Sequence, residues 1–338
     1  LVFPNFFETF CDYYTVTLRG NWEKGNNILF AEYFPDRYAE KKNLNESEFK
    51  KQLRETLEML DAHRSEREWP GLDDKSLTSW NALAIMGLLD TYEALEEKRY
   101  LDFAEKSLSF LLNTIQKEDG SLYRNYHKSK ASIHGFLDDY AYLISALIKM
   151  YENSFDQKWL DQAAKLTEYC LKEFEDPKSP LLFYTSEDSE KLILRKKEIS
   201  DNVIPASNSQ MAKNLFLLGH FYYKEAWIER SKNMFLQLQD KIMGNAEFYS
   251  NWMQLYLWHT RGIKEVAIAG PEALKKKREL AQSYLPNCIF MGTTDGRSNL
   301  DLLDGKFDQN LTRIFVCENK ACKYPVDETS EALELIGQ

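Results

Sequence analysis

The sequence predicts a mainly helical chain, an α/α barrel of helical hairpins followed by a small α/β unit. Two observations carry this reading. From Glu46 to about His259, segments with a single apolar stripe alternate with segments that are apolar nearly all round. After Gly262, short strand-like runs alternate with helical ones. One stripe means one buried face and all-round apolarity means cover on both sides, so the alternation predicts an inner ring wrapped by an outer ring. A simple bundle does not fit, because each of its helices would keep a solvated face.

Residues 1–45 form an irregular lead segment, in which Tyr14-Thr15-Val16-Thr17-Leu18 is predicted as a short strand and Gly20-Asn21 and Gly25-Asn26 as turns. Residues 46–261 hold the hairpins. One-faced helices are predicted at 46–66 (Phe49, Leu53, Leu57, Leu60), 99–115, 157–174 and 226–242, and doubly covered ones at 77–95, 139–151, 206–223 and 247–258. These make four hairpins where a closed ring of this type has six, so the expected fold is an incomplete (α/α)6 six-hairpin toroid. Open inner-helix flanks exceed the apolar area a soluble monomer tolerates, so a missing N-terminal segment of the same protein, or self-association, is expected to cover them. Residues 262–338 read as strand (Glu265–Gly270), helix (271–284), strand (Cys288–Met291), strand (Arg313–Cys317) and helix (Glu328–Ile336), a small parallel α/β unit. No Gly-x-Gly-x-x-Gly follows a strand, which removes support for dinucleotide binding.

The 338 residues are 43% hydrophobic, enough for a large core, and carry a net charge of −10 with a pI near 5.2. Phosphate binding needs a basic surface, so nucleic acid is not an expected partner. No run of about 18 apolar residues is present, and no membrane span is expected. Five cysteines form an odd set without disulfide-framework spacing, which favours a reducing, cytoplasmic setting. Cys317 and Cys322 are open to three readings: a redox pair, half a metal site, or two unlinked thiols. Leu1 through Phe7 lack the features of a signal peptide, and the chain reads as part of something longer. No set of His, Cys and carboxylates has metal-ligand spacing, so neither metal nor cofactor is expected.

Three polar clusters each precede a doubly covered helix: Asp73-Asp74-Lys75, His134-Gly135-Phe136-Leu137-Asp138-Asp139-Tyr140, and Pro205-Ala206-Ser207-Asn208-Ser209. Helix N-termini present unpaired N–H groups and a positive dipole end, which stabilise carboxylates there and can face a ligand. On successive hairpins the three clusters would meet at one end of the barrel. The bland reading is capping: one Asp suffices to cap a helix, Ser207 and Ser209 are capping or close-packing types, and Pro205 suits a first turn.

The clusters, with Gly20-Asn21-Trp22-Glu23 and Cys322-Lys323-Tyr324-Pro325, resemble the YyaL / spermatogenesis-associated protein family in order and spacing. The resemblance implies the C-terminal part of a protein in which a thioredoxin-like domain precedes a six-hairpin toroid similar to N-acylglucosamine 2-epimerases and six-hairpin glycosidases. The chain departs from the family's pattern at Gly71, where many relatives have His, and at Ala82 and Ala206.

The expected function is carbohydrate processing, glycosidase-like or isomerase-like. Glycoside hydrolysis needs two carboxyl groups, one protonated and one ionised. Asp74 with Asp138 or Asp139 supplies them, crowding raises one of their pKa values, and His134 is a candidate base. Asp73, Lys75, Asn81, Ser207 and Asn208 are candidate saccharide-binding groups, and Trp80, Tyr140 and Trp252 candidate stacking faces. No pair of His residues suits epimerisation. The alternatives are a non-catalytic module binding saccharide or peptide, and a scaffold serving the thioredoxin-like domain.

Overall fold

The computed structural model describes residues 6–190 and 193–337; Leu1 through Asn5, where the leader reading mostly falls, lie outside them. The chain divides into two compact units between Asp73 and Asp74.

The first unit contains α1 (Phe7–Tyr13), α2 (Pro35–Lys41) and α3 (Glu46–Ser65). Its core is an aromatic cluster in which Phe6, Phe10, Tyr13, Tyr38 and Phe49 meet with Leu53. Asn45 caps α3 by accepting the Glu48 N–H at 3.0 Å. The predicted strand at Tyr14–Leu18 is not formed. Side-chain amides take the place of a partner strand there. Asn21 Nδ2 donates to Thr15 O (3.0 Å) and Ile28 O (2.9 Å), and Asn27 both accepts from and donates to the Thr17 backbone. The turns are present, with Gly20 and Gly25 at φ 82° and 76°.

The second unit begins with β1 (Ser76–Leu77), α4 (Thr78–Leu95) and α5 (Lys98–Phe110), the last running into a π-helical turn at Leu111–Ile115. A hairpin follows, β2 (Tyr123–His127) and β3 (Lys130–His134), then α6 (Leu137–Ser154), α7 (Gln157–Glu173), α8 (Ser207–Phe221), α9 (Glu225–Gly244) and α10 (Ser250–Arg261). Helices α4, α6, α8 and α10 pack in sequence as an inner row, and α5, α7 and α9 each back their hairpin partner. This is the wall of an α/α toroid. Helices α6 and α8 are buried nearly all round, as their composition requires. Helices α4 and α10 are not: Trp80 (59% exposed), Leu95 and Leu257 face outward at the two ends of the row, where α4 and α10 each have one inner neighbour within the unit.

The last elements are β4 (Lys264–Ala269), α11 (Ala273–Ala281), β5 (Cys288–Thr293), β6 (Arg313–Glu318), β7 (Ala321–Cys322) and α12 (Thr329–Gly337), with sheet order β5-β4-β6-β7. The sheet is mixed, not parallel: β4 pairs β5 in parallel and β6 antiparallel. Cys317 and Cys322 face each other across β6 and β7 and form a disulfide, the linked pair among the three readings left open by the sequence; Cys11, Cys170 and Cys288 are free. The sheet and the helices share one continuous hydrophobic core. Gly292 on β5 admits the Phe155 ring, and Lys277 of α11, 2% exposed in its side chain, pairs with Glu93 of α4 beside Asn153 of α6. No helix among the described residues is long and apolar enough to cross a membrane.

Candidate functional site at the inner-helix mouths

The inner helices start at one shared end, and two aspartates tie those starts together in pairs. Asp139, at the third position of α6, accepts the N–H of Phe136 through Oδ2 (2.9 Å) and the N–H of Ser79, at the start of α4, through Oδ1 (3.0 Å). Asp201 does the same for the next pair, accepting the N–H of Ala206 before α8 and of Asn251 on α10, each at 2.9 Å. Each carboxylate satisfies N–H groups that a helix start leaves orphaned and sits where the helix dipoles favour negative charge. Between the two lies a further link, the Tyr142 hydroxyl donating to Pro205 O at 2.5 Å.

Arg124, carried in by β2, lies over this end. Its Nη1 is 3.1 Å from both Asp138 Oδ1 and Asp139 Oδ2, and its guanidinium stacks 4.7 Å from the Phe136 ring centroid. Phe136 in turn packs on Tyr184 at 5.0 Å, whose hydroxyl hydrogen-bonds Asp138. Glu198 lies close by, with Oε2 accepting the Ser207 N–H at 3.1 Å. Burial pushes the Asp138 carboxyl up against the pull of Arg124, and the Glu198 charge adds to the rise. Burial first, and then the Asp138 charge, push the Asp139 carboxyl the same way, up to about 7, against the pull of Arg124.

The other candidates fall into three groups. Ser207 is buried with its Oγ unpartnered among the described residues, as is Ser79 Oγ. Asn208 clamps the chain instead, accepting the Leu182 N–H (2.8 Å) and donating to Leu182 O and Glu198 O. Tyr140 lies in the core, its Oη accepting the Leu122 N–H (2.8 Å) and its ring stacked on Tyr169; Trp252 is fully buried, donating to Ile199 O. Neither ring is an open stacking face. Trp80 is exposed on the flank of α4, and Asn81 donates back to Leu77 O, the residue just before its own helix. Asp74 pairs with His127 Nε2 at 2.7 Å on the β2–β3 hairpin, separate from the Arg124 cluster, and His134 is exposed at the end of β3. Asp73 and Lys75 are exposed. The capping expected of Asp73 or Asp74 on α4 is supplied by Asp139, because the chain before Leu77 is extended in β1.

Sequence reasoning missed Arg124, Tyr184, Glu198 and Asp201. Glu198 and Asp201 carried a signal, a pair of carboxylates just upstream of the Pro205–Ser209 cluster. No group of three or more His, Cys, Asp and Glu suited to a metal ion occurs among the described residues.

Fold and site together define a helical-hairpin protein of the α/α toroid class with a charged, partly aromatic mouth. In sequence the chain is similar to spermatogenesis-associated protein 20 of Homo sapiens, 26% identical across 93% of this chain, and of Mus musculus, 25% identical across 93%. An uncharacterised protein of Caenorhabditis elegans is 26% identical across 98% of it. The chain spans less than half the length of these curated relatives, 42%, 42% and 48% respectively. No family model matches. Among solved structures, an α-mannanase of Bacteroides thetaiotaomicron overlaps 70% of this chain and 66% of its own (15% identity, TM-score 0.46). The cellobiose 2-epimerase of Bacillus thermoamylovorans overlaps 50% of this chain and 46% of its own (12% identity, TM-score 0.41).

Proposed function

We propose that the inner-helix mouth binds and processes a carbohydrate, by acid–base chemistry of the glycosidase kind. The observation that supports this is the buried Asp138–Asp139 pair under Arg124, both carboxyls pushed upward by burial, with a further carboxylate, Glu198, near it and an aromatic face, Phe136 on Tyr184, alongside. In this reading Asp138, the less enclosed member of the pair, gives the proton to a leaving oxygen. Glu198 receives a proton from water or attacks the sugar. Arg124 holds the charge left on the pair, and the Phe136–Tyr184 face stacks the ring. A cytoplasmic setting belongs to the same reading on the strength of the three free thiols, while the Cys317–Cys322 disulfide speaks for an oxidising one.

The test is turnover of a panel of aryl glycosides by the wild type, Asp138→Asn and Glu198→Gln. Activity lost in both variants, at unchanged melting temperature, is the expected result. If no substrate is turned over and no mono- or oligosaccharide raises the melting temperature, the reading fails. A second reading, binding without turnover, is favoured by the close engagement of Asp139 with Arg124 and two backbone N–H groups. Saccharide binding without turnover would select it.

A further inference from the structure

At the opposite ends of the inner helices lies a cavity of about 310 Å³, bounded by the C-terminal ends of α8 and α10, the start of α9, β4 and the β6–β7 turn. Its floor is Glu265 on β4, fully buried yet charged in type. That carboxylate is bracketed by His220 Nδ1 at 3.0 Å, the Tyr223 hydroxyl at 3.4 Å and the Lys320 N–H at 3.2 Å. A second carboxylate, Glu225, lines the same space, and Phe216 and Trp258 form a stacked wall with centroids 5.8 Å apart. His259 is held neutral at physiological pH, chiefly by burial and then by the Lys232 charge, its pKa brought down to about 4, while the Lys213 ammonium lies 5.1 Å from the Trp258 ring centroid.

Two features of this space suit an ammonium group. Both inner helices present their carbonyl ends, where the dipole is negative, and aromatic faces attract ammonium groups once water is displaced. The protein already contains an example of the preferred occupant. Lys320, from the turn between the disulfide-linked Cys317 and Cys322, places its ammonium 3.9 Å from the Tyr223 ring centroid.

From this geometry we infer that the cavity is a binding site for a small organic ammonium ion, with Glu265 and Glu225 as counter-charges, Tyr223 as the cation-binding face, and Lys320 as an internal competitor on a lid. The volume is at the lower end of the range for small-molecule sites, which suits a ligand of roughly ten heavy atoms or fewer. The site is separate from the carbohydrate mouth, and its occupancy does not depend on that reading.

An isosteric pair of probes tests it: n-butylammonium chloride and sodium butyrate, titrated calorimetrically into the wild type, Lys320→Ala and Glu225→Gln. Lys320 and Glu225 are both exposed, so neither substitution threatens the fold. Butylammonium should bind and butyrate should not. Removing Lys320 should tighten butylammonium about fivefold by freeing the Tyr223 face, and removing the Glu225 charge should weaken it about threefold. Butyrate binding as well as butylammonium, weaker butylammonium binding in Lys320→Ala, or no binding of either probe to folded protein would overturn the assignment.

Discussion

Asp139 accepts the backbone N–H of Ser79, sixty residues earlier in the chain, at 3.0 Å. The same carboxylate closes the start of its own helix at Phe136 and faces Arg124. Asp139 is therefore a structural joint as well as half of the carboxyl pair in the proposed site. Asp139→Ala should cost about 4 kcal/mol, because it leaves Arg124 short of a partner and two N–H groups unsatisfied. Urea unfolding checks this; a loss below about 1 kcal/mol would mean water replaces the carboxylate freely.

Glu152 gives a pH prediction. Burial pushes its carboxyl up to about 7, against the pull of the Phe290 N–H. Its folded pKa exceeds the unfolded one, so the native state binds more protons between about pH 4.5 and 7, and this group's contribution to stability falls as pH rises through that window. Glu152→Gln should therefore gain over wild type at pH 8 by about 2 kcal/mol, after allowance for residual solvent access, and lose the advantage by pH 5. Unfolding curves at the two pH values decide it. A pH-independent difference would refute the assignment.

Gly292→Ala should destabilise by about 2 kcal/mol. The new methyl would lie 2.3 Å from the Phe155 ring and 2.7 Å from Ile268 O, and the backbone oxygen has little room to yield. Thermal unfolding of a Gly292→Ala, Phe155→Leu double variant should recover part of the loss if the ring is the obstacle.

The disulfide makes two measurable claims. Alkylation of the unfolded, unreduced chain should modify Cys11, Cys170 and Cys288 and spare Cys317 and Cys322. Cys322→Ser should lower stability by about 2 kcal/mol, the chain-entropy value for so short a loop. Modification of all five thiols by mass spectrometry would show that the bond is absent.

What the sequence revealed followed from periodicity and end signals. The apolar stripes located each long helix within a few residues, and the polar clusters at Asp138-Asp139 and Ser207–Ser209 do lie at one shared end. The β2–β3 hairpin was invisible because its two-residue turn uses Lys128 and Ser129, at φ 46° and 61°, where Asn-Gly is the usual signal. Antiparallel placement of β6 was equally hidden, since strand direction depends on the path of a long connection and not on composition. At the mouth, Arg124 and Glu198 lie outside the helix-start clusters. Only three-dimensional pairing shows that an arginine from a hairpin neutralises aspartates on a helix. Residues near one another in sequence also misled: Tyr140 follows the aspartates directly, yet it points the other way, into the core.

Lys277 gives the region around Gly262 a different significance from the change of texture seen in the sequence. Its ammonium, supplied by α11, neutralises Glu93 at the far end of α4 and touches Asn153 on α6. A recombinant chain stopped at residue 262 would present Glu93 with one of its two lysine partners gone and would uncover the apolar face that meets β5. The hairpins and the sheet should therefore melt as a single transition, with no separable module for dissection or grafting on either side of that glycine.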